Sequence, residues 1–375
     1  MSTAGSTGAG VATTADGYDR RLELQAFDDT RAGVKGLVDA GVTSIPAIFH
    51  HPPDALALDS ASSIDDDAPA IPVVDLSGAP REEVVAQVKA AAEAVGFFQV
   101  LNHGVPSELM DAMLAGIKRF NEGPTEVKRR MYTRDAAYKV RFCSNFDLFK
   151  SAAANWRDTL FCELAPVPPS PEELPDAVRG VMLEYGEAAT KVALRVLELL
   201  SESLGLTTDH LREMGCVEGL NMVSHYYPPC PEPHLTLGTS THTDPAFLTV
   251  LLQDGVGGLQ VLVDRRGDRR RWVDVPPLPG ALIINIGDLL QLVSNDRFRS
   301  VEHRVLANCS RETPRLSVAC FFNTDDKRRL YGPITEGSSD PPVYRSVTAL
   351  EYFALFYGNG LQAQGRLLDY FRLQH

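Results

Sequence analysis

The sequence predicts a mainly β protein with flanking helices, in which a jelly roll or sandwich follows a helical N-terminal region. Up to Gly205, apolar residues recur mostly at the three- and four-residue spacings of helices that bury one face. Beyond Gly205, about eight short apolar runs are separated by turn residues, which favours an antiparallel sandwich or jelly roll over a parallel sheet.

The chain divides into four segments: a tail at 1–16, an N-terminal extension and linker at 17–70, a largely helical region at 71–204, and a β region with a closing helix at 205–375. The tail lacks the basic start and apolar block of a secretory signal, so we predict a disordered tail, with a plastid transit peptide as the weaker alternative. Ser, Asp and Ala dominate 54–70, which is typical of a flexible linker or surface loop.

Ordered structure is predicted to begin with a strand at 71–76. A helix follows from about 81 to before 96, then a strand at 97–101 and a helix at 106–120. Residues 132–164 mix aromatic and polar side chains without a clear period, so they are either plain core or partly the wall of a substrate pocket. The longest helix is predicted at 176–204, after a proline-rich break.

The β region is predicted to begin with a strand at 221–227. Further strands are predicted at 247–252, 259–263, 272–275, 281–285, 300–306 and 315–323, and a final helix at 349–357. The basic run at 265–271 lies between two of these strands and is interpreted as a solvated hairpin tip.

Composition and charge exclude several classes of function. The formal net charge of −13 argues against nucleic acid as a partner, because binding phosphates requires a concentrated basic face. No apolar run approaches the roughly 18 to 20 residues that a membrane-spanning helix needs. The six cysteines form no CxxC pair, so free thiols in a reducing compartment are expected, and the cytoplasm is the predicted location.

A metal site is predicted around His242 and Asp244, which lie two residues apart at the expected end of a strand. Alternation along a strand turns both side chains to the same face. The best candidate for a third ligand is His303, in another strand-like segment. Two histidines and one carboxylate on one side of a metal leave positions open for substrate and O₂, as in non-haem Fe(II) oxygenases.

An anion site is predicted on the strand that carries Arg315 and Ser317, whose side chains share a face. A guanidinium among apolar residues is costly unless it meets an anion, and Arg holds a carboxylate through two parallel hydrogen bonds. The hydroxyl of Tyr227 can lie near the same anion. The alternatives are that Arg315 pairs with a buried acid and that Tyr227 is ordinary core.

Taken together, these motifs resemble the plant 2-oxoglutarate- and Fe(II)-dependent dioxygenases. The residues that carry the resemblance are HTD at 242–244, His303, RLS at 315–317, YYPPCPEP at 226–233 and GFFQVLNHGV at 96–105. The similarity extends over about 71–373. Within the family, segments 17–41, 144–166 and 287–305 are most similar to the DIBOA-glucoside dioxygenases of benzoxazinoid biosynthesis in grasses and to the aminocyclopropane-carboxylate oxidase homologues.

The resemblance implies a double-stranded β-helix (jelly roll) core with the helical N-terminal region packed around it. It implies that His242, Asp244 and His303 bind Fe(II). It further implies that Arg315, Ser317 and Tyr227 bind 2-oxoglutarate, that O₂ is the second substrate, and that ascorbate serves as reductant. The family commonly has Asn where this chain has His225, which leaves a co-substrate contact at that position open.

The primary substrate is expected to be a small aromatic molecule, because many aromatic residues are available to line a pocket. The candidate wall residues are Tyr138, Phe142, Phe149, Phe247, Phe321 and Asn323, although each can equally be core. With the resemblance, they suggest hydroxylation of a plant specialised metabolite, either a benzoxazinoid glucoside of the DIBOA-glucoside type or a related aromatic. We expect a monomer without membrane or nucleic-acid partners.

Three other functions remain open at this point. An oxidase of the ethylene-forming type uses ascorbate and no 2-oxoglutarate. A zinc hydrolase can use the same three metal ligands, but it has no need of Arg315 and Ser317. The third alternative is a non-catalytic binding protein that retains the fold.

Overall fold

The computed structural model describes residues 18–57, 70–264, 270–335, 340–361 and 366–374. The predictions for the tail, for most of the linker and for residues 265–269 of the basic run lie outside these residues.

Eleven helices occur within the described residues. They are α1 (Arg20–Asp29), α2 (Gly33–Asp39), α3 (Pro53–Leu56), α4 (Arg81–Ala94), α5 (Ser107–Glu122), α6 (Thr125–Met131), α7 (Asp176–Arg179), α8 (Met182–Ser203), α9 (His210–Glu213), α10 (Asp288–Val293) and α11 (Ala349–Asn359). Short 3-10 helices occur at Ala47–Phe49, Pro171–Glu173, Pro233–Leu235 and Leu367–Phe371.

Fourteen strands accompany them in the same residues. They are β1 (Val73–Asp75), β2 (Phe97–Leu101), β3 (Val140–Cys143), β4 (Asp158–Ala165), β5 (Gly219–Tyr227), β6 (Leu237–His242), β7 (Leu248–Gln253), β8 (Leu259–Asp264), β9 (Arg270–Asp274), β10 (Leu282–Ile286), β11 (His303–Leu306), β12 (Arg315–Asn323), β13 (Leu330–Tyr331) and β14 (Val347–Thr348).

The strands form a large sheet and a small sheet that pack face to face. The large sheet has the order β1-β2-β10-β7-β12-β5-β4-β3, the small sheet has the order β6-β11-β8-β9, and β13 pairs with β14. All pairings are antiparallel except that of β1 with β2. The predicted mainly β architecture with a jelly-roll core and a helical N-terminal region is confirmed.

The two faces of the large sheet bury different partners. One face packs against α4, α5 and α8 in a helix-side core that includes Val88, Ile117, Val196 and Val318. The other face packs against the small sheet in an inter-sheet core that includes Tyr227 and Val261. Because side chains alternate along a strand, every second residue of β4, β5 and β12 points into the space between the sheets.

Residues of the N-terminal extension are anchored to the large sheet by a buried carboxylate. Asp158 accepts hydrogen bonds from the backbone nitrogens of Val34 (2.7 Å) and Lys35 (2.8 Å) at the start of α2. Gly33 precedes them with φ +71°, and a Cβ there would lie 2.2 Å from Oδ1 of Asp158. A glycine is therefore required where α2 begins.

Two predicted stretches differ from the structure. Residues 132–164 contain strands β3 and the greater part of β4, which the sequence left unassigned because both faces of the sheet are covered there and polarity does not alternate cleanly. The helix predicted at 176–204 is interrupted at Gly180 and Val181, which separate α7 from α8.

Two findings concern the helices and the cysteines of the described residues. None of their helices is both long enough and apolar enough to cross a bilayer. All six cysteines are free thiols, five of them buried and Cys309 exposed.

Replacing Asp158 by Ala removes the acceptor of two backbone N–H groups at the start of α2. We expect the free energy of unfolding, measured by urea denaturation, to fall by about 1 to 3 kcal/mol. The control is Asp369→Ala, which changes an exposed carboxylate and should stay within about 0.5 kcal/mol of the parent protein. Equal stabilities for the two variants would contradict the anchoring role of Asp158.

Candidate active site

Three side chains converge between the sheets at the end of β6. His242 is the last residue of β6 and lies opposite His303 of β11 in the strand register, and Asp244 follows two residues after the strand ends. Oδ1 of Asp244 lies 3.6 Å from Nε2 of His242 and 3.5 Å from Nε2 of His303. All three ligand atoms lie within 4.8 Å of one another, which is a spacing that can hold one metal ion.

Backbone carbonyl groups orient both imidazoles. Nδ1 of His242 lies 2.8 Å from the oxygen of Ser240, and Nδ1 of His303 lies 3.1 Å from the oxygen of Val301. Only an N–H group can bond to a carbonyl oxygen, so each Nε2 carries the lone pair and points towards Asp244. This arrangement is typical of histidines that ligate metals.

The carboxylate of Asp244 is held by two donors on neighbouring strands of the large sheet. Thr249 Oγ1 (2.6 Å) and Asn285 Nδ2 (2.7 Å) both donate to Oδ2. Oδ1 is thereby left to face the two imidazoles. Thr249 and Asn285 could not be found from the sequence, since their role depends on the β7–β10 pairing that places them side by side.

Burial and mutual charge set the protonation of this cluster. Burial, and then the neighbouring His303, lowers the pKa of His242 to about 3, so its imidazole is neutral. Burial alone would raise the pKa of Asp244, but the two imidazoles and the two donated hydrogen bonds more than offset it and hold the pKa below its ordinary value. Nitrogen ligands with one ionised carboxylate suit a divalent first-row metal such as Fe(II).

A cationic group lies on the inner face of β12. Arg315 is only 1% exposed, and its guanidinium donates to the oxygen of Gly257 (2.5 Å), Ser317 Oγ (3.3 Å) and Gln253 Oε1 (3.1 Å). It also lies 4.8 Å from the ring centre of Tyr227, its partner in the register of β5 and β12. Among the described residues no carboxylate lies within ion-pair distance of Arg315. Its charge does act on Asp254, whose pKa burial raises and Arg315 partly lowers, and whose Oδ2 accepts from the backbone nitrogen of Leu316.

His225 lies beside this cation, opposite Ser317 in the strand register. Its Nδ1 is 3.0 Å from Oγ1 of Thr159 on β4. Burial, followed by the charges of Arg157 and Arg315, lowers the pKa of His225 well below its ordinary range. The residue that stands at the family's usual Asn position is therefore a neutral imidazole.

Two of the predicted wall residues belong to the helix-side core. Phe142 is fully buried there and packs edge-on against Phe120 and Tyr132, because alternation along β3 turns it away from the small sheet. Phe247 precedes β7 and packs against Tyr331 in the same core. The structure thus places both side chains in the helix-side core, which is the alternative that the sequence left open for them.

The other four wall candidates have different surroundings. Phe321 and Asn323 lie on the inner face of β12, the face of Arg315 and Ser317. Tyr138 is 60% exposed in the turn before β3, and Phe149 is 45% exposed with its ring 5.9 Å from the guanidinium of Arg134. Their contact with a substrate remains a prediction.

Two residues at or near the start of β4 lie on the inner face of the large sheet and were not predicted from the sequence as site residues. Arg157 immediately precedes β4, and Phe161 lies within it, with the guanidinium of Arg141 3.9 Å from its ring centre. The signal that points to them is the two-residue period of Arg157, Thr159 and Phe161, which is visible once β4 is recognised as a strand.

Comparison with known sequences identifies two matching families. Residues 219–324 match the family described as 2OG-Fe(II) oxygenase superfamily, and residues 71–179 match the non-haem dioxygenase in morphine synthesis N-terminal family. The Arabidopsis thaliana protein named 1-aminocyclopropane-1-carboxylate oxidase homolog 1 is 50% identical over 359 residues, 93% of this chain and 96% of the relative. A probable 2-oxoacid dependent dioxygenase of Arabidopsis thaliana is 51% identical over 345 residues, 89% of this chain and 94% of the relative.

A solved structure shares the fold over most of both chains. The crystal structure of JOX2 in complex with 2OG, Fe and JA superposes with a TM-score of 0.77 at 32% sequence identity. The match covers 91% of this chain and 98% of JOX2.

Removing the hydroxyl of Thr249 tests whether the donors to Asp244 prepare a metal site. In Thr249→Val we expect Fe(II) or Mn(II) affinity, measured by anaerobic titration calorimetry, to fall about 10- to 100-fold, because one orienting hydrogen bond is lost. The matched control is Thr208→Val, which removes an exposed hydroxyl that donates to Glu202. Identical metal affinities for both variants would count against this role.

Proposed function

This chain belongs to the 2OG-Fe(II) oxygenase superfamily and is a dioxygenase that depends on Fe(II), 2-oxoglutarate and O₂, and we propose that it hydroxylates an aromatic plant specialised metabolite. His242, Asp244 and His303 hold the iron in this proposal. Arg315, Ser317 and Tyr227 hold the distal carboxylate of 2-oxoglutarate, and ascorbate keeps the metal reduced.

The donor set of the triad supports the metal assignment. Two imidazoles turn Nε2 to the same point as one carboxylate oxygen, and no protein donor competes for that oxygen within the described residues. When bound there, Fe(II) with 2-oxoglutarate supplies the activation of O₂ for C–H oxidation, releasing succinate and CO₂. The protein's own contribution is to orient the ligands and to exclude water.

The observation that carries the 2-oxoglutarate assignment is Arg315, a buried guanidinium with no carboxylate within ion-pair distance among the described residues. A buried cation is stabilised when an anion pairs with it, and Arg binds a carboxylate through two parallel N–H bonds. Ser317 adds a hydroxyl on the same face, 3.3 Å from the guanidinium. A zinc hydrolase has no need of such a carboxylate site.

His225 lies beside Arg315 and Ser317 and is the next residue that we assign to 2-oxoglutarate binding. It faces Ser317 and Thr159 in the register and is kept neutral by burial and by the two nearby guanidinium groups. We assign to it the co-substrate contact that Asn makes elsewhere in the family, since a neutral imidazole can also donate a hydrogen bond.

An aromatic wall supports a flat ring substrate. Phe161 and Phe321 lie on the inner faces of β4 and β12, and Arg141 stacks over Phe161. Tyr357 of α11 lies near enough to Arg141 for that charge to act on it, and its side chain is 48% exposed. A benzoxazinoid glucoside of the DIBOA-glucoside type, or a related aromatic, is the substrate we propose, for a monomeric enzyme acting in the cytoplasm.

Truncating Arg315 tests the co-substrate assignment. Arg315→Ala should weaken 2-oxoglutarate binding by on the order of 2 to 5 kcal/mol, the usual cost of removing one member of a buried charge pair. Binding is measured by anaerobic titration of the Fe(II)-loaded protein. Arg329→Ala, which removes a cation paired with Glu218 elsewhere on the molecule, is the control and should bind normally. An unchanged affinity in Arg315→Ala would refute the assignment.

A turnover assay tests the reaction class and the substrate together. The purified protein is incubated with Fe(II), ascorbate, 2-oxoglutarate and a panel of benzoxazinoid glucosides and other plant aromatics, and succinate is quantified. We expect succinate in stoichiometric amounts with a hydroxylated product, and neither when 2-oxoglutarate is omitted. Product formation with ascorbate alone would favour the ethylene-forming type, and absence of any product across the panel would favour a non-catalytic role.

A further inference from the structure

Arg157 is a second buried guanidinium in the space between the sheets. Its side chain is 4% exposed, and it occupies the position before β4 that continues the pairing of Asp158 with Tyr226, which places it beside Tyr227. The flanking residues point the other way, Trp156 into the N-terminal cluster and Asp158 towards α2. Arg157 therefore faces the candidate active site.

The hydrogen-bonding capacity of Arg157 is largely unused. Nη1 donates to Oγ1 of Thr239 (2.6 Å), whereas Nε is buried without a partner. Within the described ranges, no carboxylate lies within ion-pair distance of this guanidinium. A buried cation with so few partners is costly, which indicates that its role depends on charge rather than on packing.

Thr239 connects Arg157 to Tyr227. The hydroxyl oxygens of Thr239 and Tyr227 lie 3.2 Å apart. Arginine can only donate, so Thr239 must accept from Arg157, and its own hydrogen then remains available for Tyr227. A hydroxyl that accepts from a cation becomes a stronger donor, which favours donation from Thr239 to Tyr227 over the reverse.

The direction of this bond decides what Tyr227 can do. If Thr239 donates to the oxygen of Tyr227, the phenol hydrogen of Tyr227 is free to point into the site. Arg315 flanks the same ring on the β12 side, at 4.8 Å. Burial alone would raise the pKa of Tyr227, but the charges of Arg315 and Arg157, together with the hydrogen bonds of Thr239 and Ser317, more than offset it and lower the pKa below its ordinary value.

We propose that Arg157 is a positioning residue for the dicarboxylate co-substrate, acting through Thr239 to direct the hydroxyl of Tyr227 at the distal carboxylate. The proposal rests on the assignment of Arg315 and Tyr227 to 2-oxoglutarate under the proposed function. It extends the carboxylate site from the β12 face to β4 and β6, so that the two sheets both contribute to co-substrate binding.

The test is a double-mutant cycle on 2-oxoglutarate affinity. The variants are Thr239→Val, which removes only the relaying hydroxyl, and Arg157→Gln, each made alone and with Tyr227→Phe. We measure the 2-oxoglutarate dissociation constant of the Fe(II)-loaded protein anaerobically, together with Fe(II) affinity and the free energy of unfolding. Thr208→Val again serves as the control.

We expect each single variant to weaken 2-oxoglutarate about 10-fold or more, as loss of a hydrogen bond to a charged group does. Fe(II) affinity should stay within about threefold of the parent. In the Tyr227→Phe background the same changes should cost less than about threefold, because the hydroxyl that they direct is absent. Arg157→Lys, which keeps the charge and a donor, should restore part of the affinity.

Two results would overturn the proposal that Arg157 acts through Thr239 on Tyr227. One is parent-like affinity in Thr239→Val, and the other is an equal loss with and without the Tyr227 hydroxyl, which would mean that Arg157 acts by stability or by contact with the primary substrate. Failure of the parent protein to bind 2-oxoglutarate, or an unaffected Arg315→Ala variant, would instead count against the proposed function.

Discussion

The single register in which β5 pairs with β12 is the constraint on which the rest of the site depends. It sets Arg315 opposite Tyr227 and Ser317 opposite His225. A slip of one residue in either strand would turn that strand's two site residues into the helix-side core and bring its apolar residues to the inner face. The register is held from the reverse side, where Leu316, Val318 and Phe322 pack in that core. Apolar packing behind the sheet thus enforces the polar geometry in front of it.

The two sheets contribute different chemical groups to the space between them. The small sheet carries both histidines of the triad on β6 and β11, and the large sheet carries the guanidinium groups and the donors that orient Asp244. Neither sheet by itself carries all the groups of the site. The inter-sheet core joins Tyr227 and Ile283 to Val261 and Val305. It therefore fixes the spacing between the metal-binding triad and the cationic end of the site, by which we mean Arg315 and its neighbours Ser317 and Tyr227.

Most residues of the metal-binding triad and of the cationic end could be predicted from the sequence. Residue type indicates the chemistry, and a spacing of two residues indicates which side chains share one face of a strand. His242 and Asp244, and Arg315 and Ser317, lie close together in the chain, and only His303 required a guess over a long separation. Asp244 itself lies beyond the end of β6, where strand alternation no longer applies, and its orientation comes instead from Thr249 and Asn285. Those contacts depend on strand pairing, which no local pattern encodes.

The site residues that could not be predicted lie where both faces of the large sheet are buried. On β3 and β4 apolar residues occupy outer and inner positions alike, so polarity could not tell Phe142, which faces the helices, from Phe161, which faces the site. Arg157 was missed for a related reason, since a lone arginine beside Trp156 and Asp158 suggests a surface turn. The anchoring of α2 by Asp158 joins segments far apart in the chain and has no local signature.

The alternation along β3 and β4 also bears on how such an enzyme can change during evolution. Inner positions such as Arg141 and Phe161 lie on the face opposite to Phe142, Leu160 and Cys162, which pack in the helix-side core. In the proposed pocket, the residues that would set substrate preference and the residues that support folding therefore alternate along the same strands. Changes at Arg141 or Phe161 would then alter the molecule that is oxidised while the metal ligands on β6 and β11 stay the same.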